Sequence, residues 1–126
     1  MSTVSVQNNL KILVVDDDEG ARKLTLALLK KSGFQNCLQA ENGSDALQLL
    51  IETQVDLVIC DWDMPNLNGV ELHNLIKANP ALPEVPFIMI TSFKDRDHVI
   101  KAASTGIRHY IVKPLEEDVL RDKIES

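Results

Sequence analysis

Four short apolar runs constrain this chain more than anything else in it: KILVV at 11–15, DLVIC at 56–60, FIMI at 87–90 and YIV at 110–112. They are rich in β-branched residues and do not alternate with polar ones, which is how strands covered on both faces of a parallel sheet read. A weaker run, CLQA at 37–40, lies between the first two. Helical spacing fills the intervals. Leu24 and Leu28 share a face, as do Ala46, Leu47, Leu50 and Ile51; then come Leu72, Leu75 and Ile76, then Val99, Ile100 and Ala103, then Leu120 and Ile124. Gly33 and Gly106 stand where helix C-caps belong, and Asn42-Gly43 leads into a helix N-cap rather than a hairpin. The order is βα repeated five times. Short, right-handed connections turn that order into an α/β fold, a five-stranded parallel sheet with helices on both faces.

Composition narrows the function classes. A chain of 126 residues suits one domain with its own core, and 44% hydrophobic residues beside 25% charged is globular usage. The net charge of −6 argues against direct binding to nucleic acid, which needs a basic face. No apolar run approaches the ~18 residues of a membrane span. The opening MSTVSVQNNL has neither the basic start nor the apolar stretch of a signal peptide, so residues 1–9 read as a disordered tail and 10–126 as the domain. Cys37 and Cys60 lack ligand spacing and read as small buried hydrophobes of a cytoplasmic protein. Pro80, Pro83 and Pro86 have the spacing of a polyproline ligand, but a loop that ends a helix before the fourth strand accounts for them more simply.

The third run does something costly: it drives toward the core and ends on Asp61-Trp62-Asp63. A buried carboxylate costs several kcal/mol or shifts its pKa unless something pairs with it. In open α/β sheets the carboxyl ends of the strands are where ligands bind. Here the first run ends on Asp16-Asp17-Asp18, the third on Asp61, the fourth on Thr91-Ser92 and the fifth on Lys113-Pro114. Each has a bland explanation alone: acids favour a helix N-terminus, a threonine caps, a lysine is solvated. Caps and surface charges have no reason to converge on one edge of a sheet. Clustered carboxylates call for a cation, and hard oxygen ligands select Mg²⁺. A divalent ion and Lys113 would neutralise a phosphoryl group approaching a negatively charged nucleophile, and the Thr91 hydroxyl could hydrogen-bond it after transfer.

The segments ILVVDDDE, DLVICDWDMPNLNG, FIMITS and YIVKP, in this order and at these separations, resemble the receiver domain of two-component response regulators, chemotaxis receivers included. The resemblance spans residues 10–126. It implies a doubly wound, flavodoxin-like sheet of order 2-1-3-4-5. It also implies that Asp61 is the phosphoacceptor, served by a sensor histidine kinase or histidine phosphotransfer protein. Asp16, Asp17, Asp61 and the backbone carbonyl of Asp63 then hold Mg²⁺, with Lys113 pairing with the phosphoryl group. Thr91 and Tyr110 become the switch residues. The face made by the fourth helix, fifth strand and last helix engages a downstream protein or output domain. The Lys113-Pro114 bond is cis in most such proteins. A receiver catalyses its own phosphoryl transfer and loss without being a conventional turnover enzyme. Departures are modest: Asn68 stands where Asp is common, and Asp63 and Phe93 occupy variable positions that influence how long the phosphoryl group survives.

Two other readings compete. Haloacid-dehalogenase-type phosphatases also use Asp-x-Asp after a strand, but on their first strand; here that would leave 16–18 unexplained. A pure interaction module with a dead site would not need the full set of side chains. His73, His98 and His109 show no ligand spacing and read as surface or structural residues, and Trp62 as a reporter beside the acceptor. The last helix, from about Glu116, leaves open whether the chain is a complete single-domain regulator or a receiver from a longer protein.

Overall fold

A computed structural model describes residues 9–92, 96–107 and 109–125. The tail expected over 1–9, apart from Asn9, and Phe93 lie outside the described residues. Five strands alternate with five helices: β1 (Lys11–Val15), α1 (Glu19–Lys31), β2 (Asn36–Ala40), α2 (Gly43–Glu52), β3 (Leu57–Asp61), α3 (Gly69–Ala78), β4 (Phe87–Thr91), α4 (Arg96–Ser104), β5 (His109–Val112) and α5 (Glu117–Glu125). The strands form one parallel sheet of order β2-β1-β3-β4-β5, the doubly wound flavodoxin-like arrangement expected.

Alternation within the central strands divides the core into two layers. Leu13, Val15, Val58, Cys60, Phe87 and Met89 face one side, with Ala46, Leu50, Leu72, Ile76 and Ala102 from α2, α3 and α4. Ile12, Val14, Ile59, Ile88, Ile90 and Ile111 face the other, with Leu29 and Leu120 from α1 and α5. β3 and β4 are buried along their whole length, which is why they carry no polar alternation. β2 is an edge strand with exposed Asn36 and Gln39, and its weak sequence signal follows from that position.

The helix ends are built as expected. Gly33 and Gly106 adopt φ of 100° and 91°. Phe34 and Ile107 each donate back across the last turn, to Leu29 and Ala102 carbonyls, closing Schellman motifs that only a residue tolerant of positive φ permits. Asn42 caps α2 by accepting from the Asp45 N–H at 2.7 Å, and Asn68 and Glu71 form a reciprocal capping box on α3. Glu117 joins α5 to the end of α1, accepting from Ser32 Oγ at 3.3 Å and lying 3.6 Å from Lys31 Nζ. The segment holding Pro80, Pro83 and Pro86 is the α3–β4 loop, pinned by half-buried Leu82 and Val85 and by the Pro86 carbonyl, which accepts from Val58 N.

The helix faces correct the sequence reading on four helices, and on α2 Ile51 is exposed beside buried Ala46 and Leu50. Leu24 of α1 is exposed, and Thr25 and Leu29 are its buried residues. Thr25 tolerates burial because its hydroxyl donates to the Ala21 carbonyl at 3.1 Å. On α3, Leu75 is exposed beside buried Leu72 and Ile76. On α4, Val99, Ile100 and Ala103 are exposed, and the side chain facing the sheet is that of Ala102.

Candidate functional site at the carboxyl edge of the sheet

β1, β3, β4 and β5 all end on the same edge because the strands are parallel; β1 delivers two polar groups there and the others one each. From β1, Asp16 is only 5% exposed while Asp17 is exposed. From β3, Asp61 is also 5% exposed. Oxygens of Asp16, Asp17 and Asp61 lie within 4.8 Å of one another. From β5, Lys113 Nζ reaches to 3.2 Å of Asp61 Oδ1. That is ion-pair distance without hydrogen-bond alignment, so Oδ1 stays buried with no hydrogen-bond donor. The Lys113–Pro114 bond is cis.

The electrostatics follow from this crowding. Burial raises the Asp61 pKa to about 6, the Asp16 charge pushes the same way, and Lys113 only partly opposes them. Asp16 is raised too, chiefly by burial, against the pull of the Asp18 N–H that its Oδ1 accepts at 3.0 Å and of Lys113. The thiol of Cys60, next to Asp61 on β3, is pushed well up by burial and by Asp61, and stays protonated. An orphaned buried carboxylate oxygen within a three-carboxylate cluster fits a hard divalent cation such as Mg²⁺, whose charge would offset both the burial and the repulsion that raise the two pKa values.

The loop after β3 is tightly held. The Trp62 carbonyl accepts from both Met64 N and Gly69 N at 3.0 Å. A Cβ on Gly69 would lie 2.8 Å from the Asp61 carbonyl oxygen and 2.6 Å from Met89 Sδ, so this position admits glycine alone without rearrangement. Asp63 itself is exposed, and its carboxylate lies outside the three-carboxylate cluster. Thr91 is completely buried at the end of β4, with its carbonyl accepting from Lys113 N at 2.8 Å. Tyr110 is half-buried and meets the Trp62 indole edge-on, ring centroids 6.2 Å apart. His98 of α4 meets the same indole at 5.1 Å. The histidine spacing held no sign of that contact, because it joins residues from separate elements. His73 is structural, edge-on to Phe87 at 5.0 Å.

Fold and site together define a flavodoxin-like domain that gathers an acidic cluster and one lysine at the carboxyl edge of its sheet. Residues 12–125 match the response regulator receiver domain model. The chain is 38% identical over 117 residues to chemotaxis protein CheY of Pseudomonas aeruginosa, covering 93% of this chain and 94% of that one. It is 38% identical over 121 residues to chemotaxis protein CheY-3 of Vibrio cholerae, covering 96% and 93%. Among solved structures, V. cholerae CheY4 superposes with a TM-score of 0.84 at 23% identity, over 92% of this chain and 96% of that one, which bears on the fold alone. The receiver domain of a signal transduction histidine kinase from Syntrophus aciditrophicus superposes with 0.81 at 30% identity, over 91% and 86%. The chain belongs to the response regulator receiver domains and is of the chemotaxis-receiver kind. It is a signalling domain of the two-component type, not a member of the dehalogenase-type phosphatases. Among the described residues no helix is long and apolar enough to cross a membrane.

Proposed function

We propose that the domain, residues 10–126, accepts a phosphoryl group on Asp61 from the phosphohistidine of a sensor kinase or phosphotransfer protein in the cytoplasm. The observation that carries this reading is the buried Asp61 carboxylate set between an acidic pair and Lys113, 3.2 Å away. In the transfer, an Asp61 oxygen bonds to phosphorus in line with the donor nitrogen. The P–N bond breaks, its electron pair staying with the donor ring, and a proton on the ring's other nitrogen, carried from the start or taken from water, leaves the donor as neutral imidazole. With a pKa of about 6, Asp61 is mostly ionised at neutral pH, so it attacks without first losing a proton. Asp16, Asp17, Asp61 and the Asp63 carbonyl would hold Mg²⁺, which would supply positive charge against the transferring oxygens. Lys113 supplies the rest and keeps its partner, now a phosphoryl oxygen, after transfer. The Thr91 hydroxyl turns to a second phosphoryl oxygen, Tyr110 follows it inward, and the face of α4, β5 and α5 changes. Val99, Ile100 and Val119, 42%, 52% and 37% exposed on that face, are suited to contact a downstream protein or output domain. Hydrolysis of the acyl phosphate by the domain itself resets it.

The test is labelling with acetyl phosphate and Mg²⁺. Mass spectrometry should place an acyl phosphate on Asp61, and Asp61→Asn should abolish it. Thr91→Ala should still label but lose the amide NMR change across 100–120 on adding beryllofluoride. Equal labelling of Asp61→Asn would remove the mechanism.

A further inference from the structure

Hydrogen bonds from three directions hold Asp16. Its N–H donates to the Ala40 carbonyl at 3.1 Å, and its Oδ1 accepts from the Asp18 N–H at 3.0 Å. Its carbonyl accepts from Arg22 Nη1 at 2.9 Å. β1 ends at Val15, whose partners are Ala40 of β2 and Cys60 of β3, so the Asp16 carbonyl stands past the ladder where the chain turns into α1. A backbone acceptor on so buried a residue needs a donor, and α1 supplies it. Arg22 sits in the first turn of α1, its own N–H donating to the Asp18 carbonyl at 2.8 Å. A second bond aims the guanidinium: Nε donates at 2.8 Å to Oε1 of Gln39, an exposed residue of the edge strand β2. Because the guanidinium is one rigid plane, fixing Nε against β2 also fixes the direction of Nη1.

Resting on the reading of Asp16 as a cation ligand, we infer that Arg22, aimed by Gln39, is a positioning residue for the Asp16 carboxylate. Bonds to the N–H and to the carbonyl of Asp16 fix the two peptide planes that flank its Cα, and so the direction in which Cβ leaves the backbone. The Asp18 N–H then selects the carboxylate's rotamer. Without Arg22 the second plane is free to tilt, and the carboxylate loses its place among Asp17 and Asp61. Charge and positioning act here with opposite signs. A guanidinium beside a cation site repels the cation, so by charge alone its removal tightens Mg²⁺ binding. By positioning, its removal loosens that binding. Gln39 is uncharged and reports the positioning alone.

The experiment uses the full chain with Arg22→Met, Gln39→Met and the double variant, each keeping an unbranched stem. Mg²⁺ is titrated against Trp62 fluorescence, and amide exchange is followed in the metal-free protein. Residues that orient metal ligands carry about 10- to 100-fold in affinity; acting through the backbone, Arg22→Met should raise the Mg²⁺ Kd by roughly 10-fold. Gln39→Met should raise it by about 3-fold, the scale of one exposed hydrogen bond. The double variant should be no weaker than Arg22→Met, because Gln39 acts only through the guanidinium. In the metal-free protein both single variants should speed amide exchange at Asp18 more than at Leu13 and Val14. Unchanged or tighter Mg²⁺ binding in Arg22→Met would overturn the positioning role. A Gln39→Met effect that persists in full without Arg22, or exchange that speeds equally at Leu13, Val14 and Asp18, would do the same. A wild type that takes up no Mg²⁺ would instead overturn the cation-site reading, while Asp18 exchange in the metal-free protein still decides whether Arg22 holds Asp16.

Discussion

Replacing Asp61 by Asn should make the metal-free protein more stable at neutral pH. Burial and the Asp16 charge hold the folded-state pKa of Asp61 at about 6, against an ordinary 3.8. Between those values the folded state keeps a proton that the unfolded state has released. Stability therefore falls as pH rises from about 4 to about 6 and levels off above that window. The shift is about two pKa units, and at about 1.4 kcal/mol per unit the ceiling is near 3 kcal/mol. Asn removes the charge but also the ion pair with Lys113, whose ammonium is 37% exposed and contributes little. The expected gain is about 1–3 kcal/mol at pH 7, or roughly 3–12 °C in Tm for a domain of this size. Urea and thermal unfolding with a chelator present should show this gain at pH 7 and its near disappearance at pH 4. Saturating Mg²⁺ should narrow the gap by stabilising wild type alone. A variant no more stable than wild type at pH 7 would refute the reasoning. So would an advantage of the same size at pH 4 and pH 7.

Mg²⁺ without phosphate should change Trp62 fluorescence and raise Tm, and Asp17→Ala should suppress both; a titration that leaves wild type unmoved contradicts the cluster as a cation site. Gly69→Ala should cost about 1–3 kcal/mol in urea unfolding, because the Met89 thioether can give way but the Asp61 carbonyl cannot, and it should weaken the Mg²⁺ response as well. Burial and Lys77 hold the His73 pKa below 6.5, so the unfolded chain takes up its proton first as pH falls. In an Asp61→Asn background stability should decline below about pH 6.5, and His73→Gln should flatten that decline.

The sheet and the polar edge were legible because the causes were local to each strand. A strand buried on both faces has no polar alternation, and its last residue sits at the edge whatever the helices do. The helix faces were less legible. Leu24 and the Val99–Ile100 pair are apolar yet exposed, and Thr25 is polar yet buried, since a hydroxyl can satisfy itself within the helix. Spacing alone cannot separate an apolar residue turned to the sheet from one turned to a partner. The His98–Trp62 contact left no trace in the sequence, because which side chain of α4 meets the indole depends on how that helix is rotated on the sheet. Trp62 itself was identifiable as a neighbour of Asp61 but not as the ring that both Tyr110 and His98 meet.

The site draws on strand ends scattered along the chain, from Asp16 near its start to Lys113 near its end. No segment contains a working fraction of it. A nascent chain still on the ribosome before residue 113, or a molecule clipped within the α3–β4 loop whose halves separate, holds its carboxylates apart from its lysine. On the proposed reading, competence to receive a signal is thereby tied to completion of the fold, and damaged or unfinished copies would be silent listeners that neither consume phosphoryl groups nor report a false stimulus.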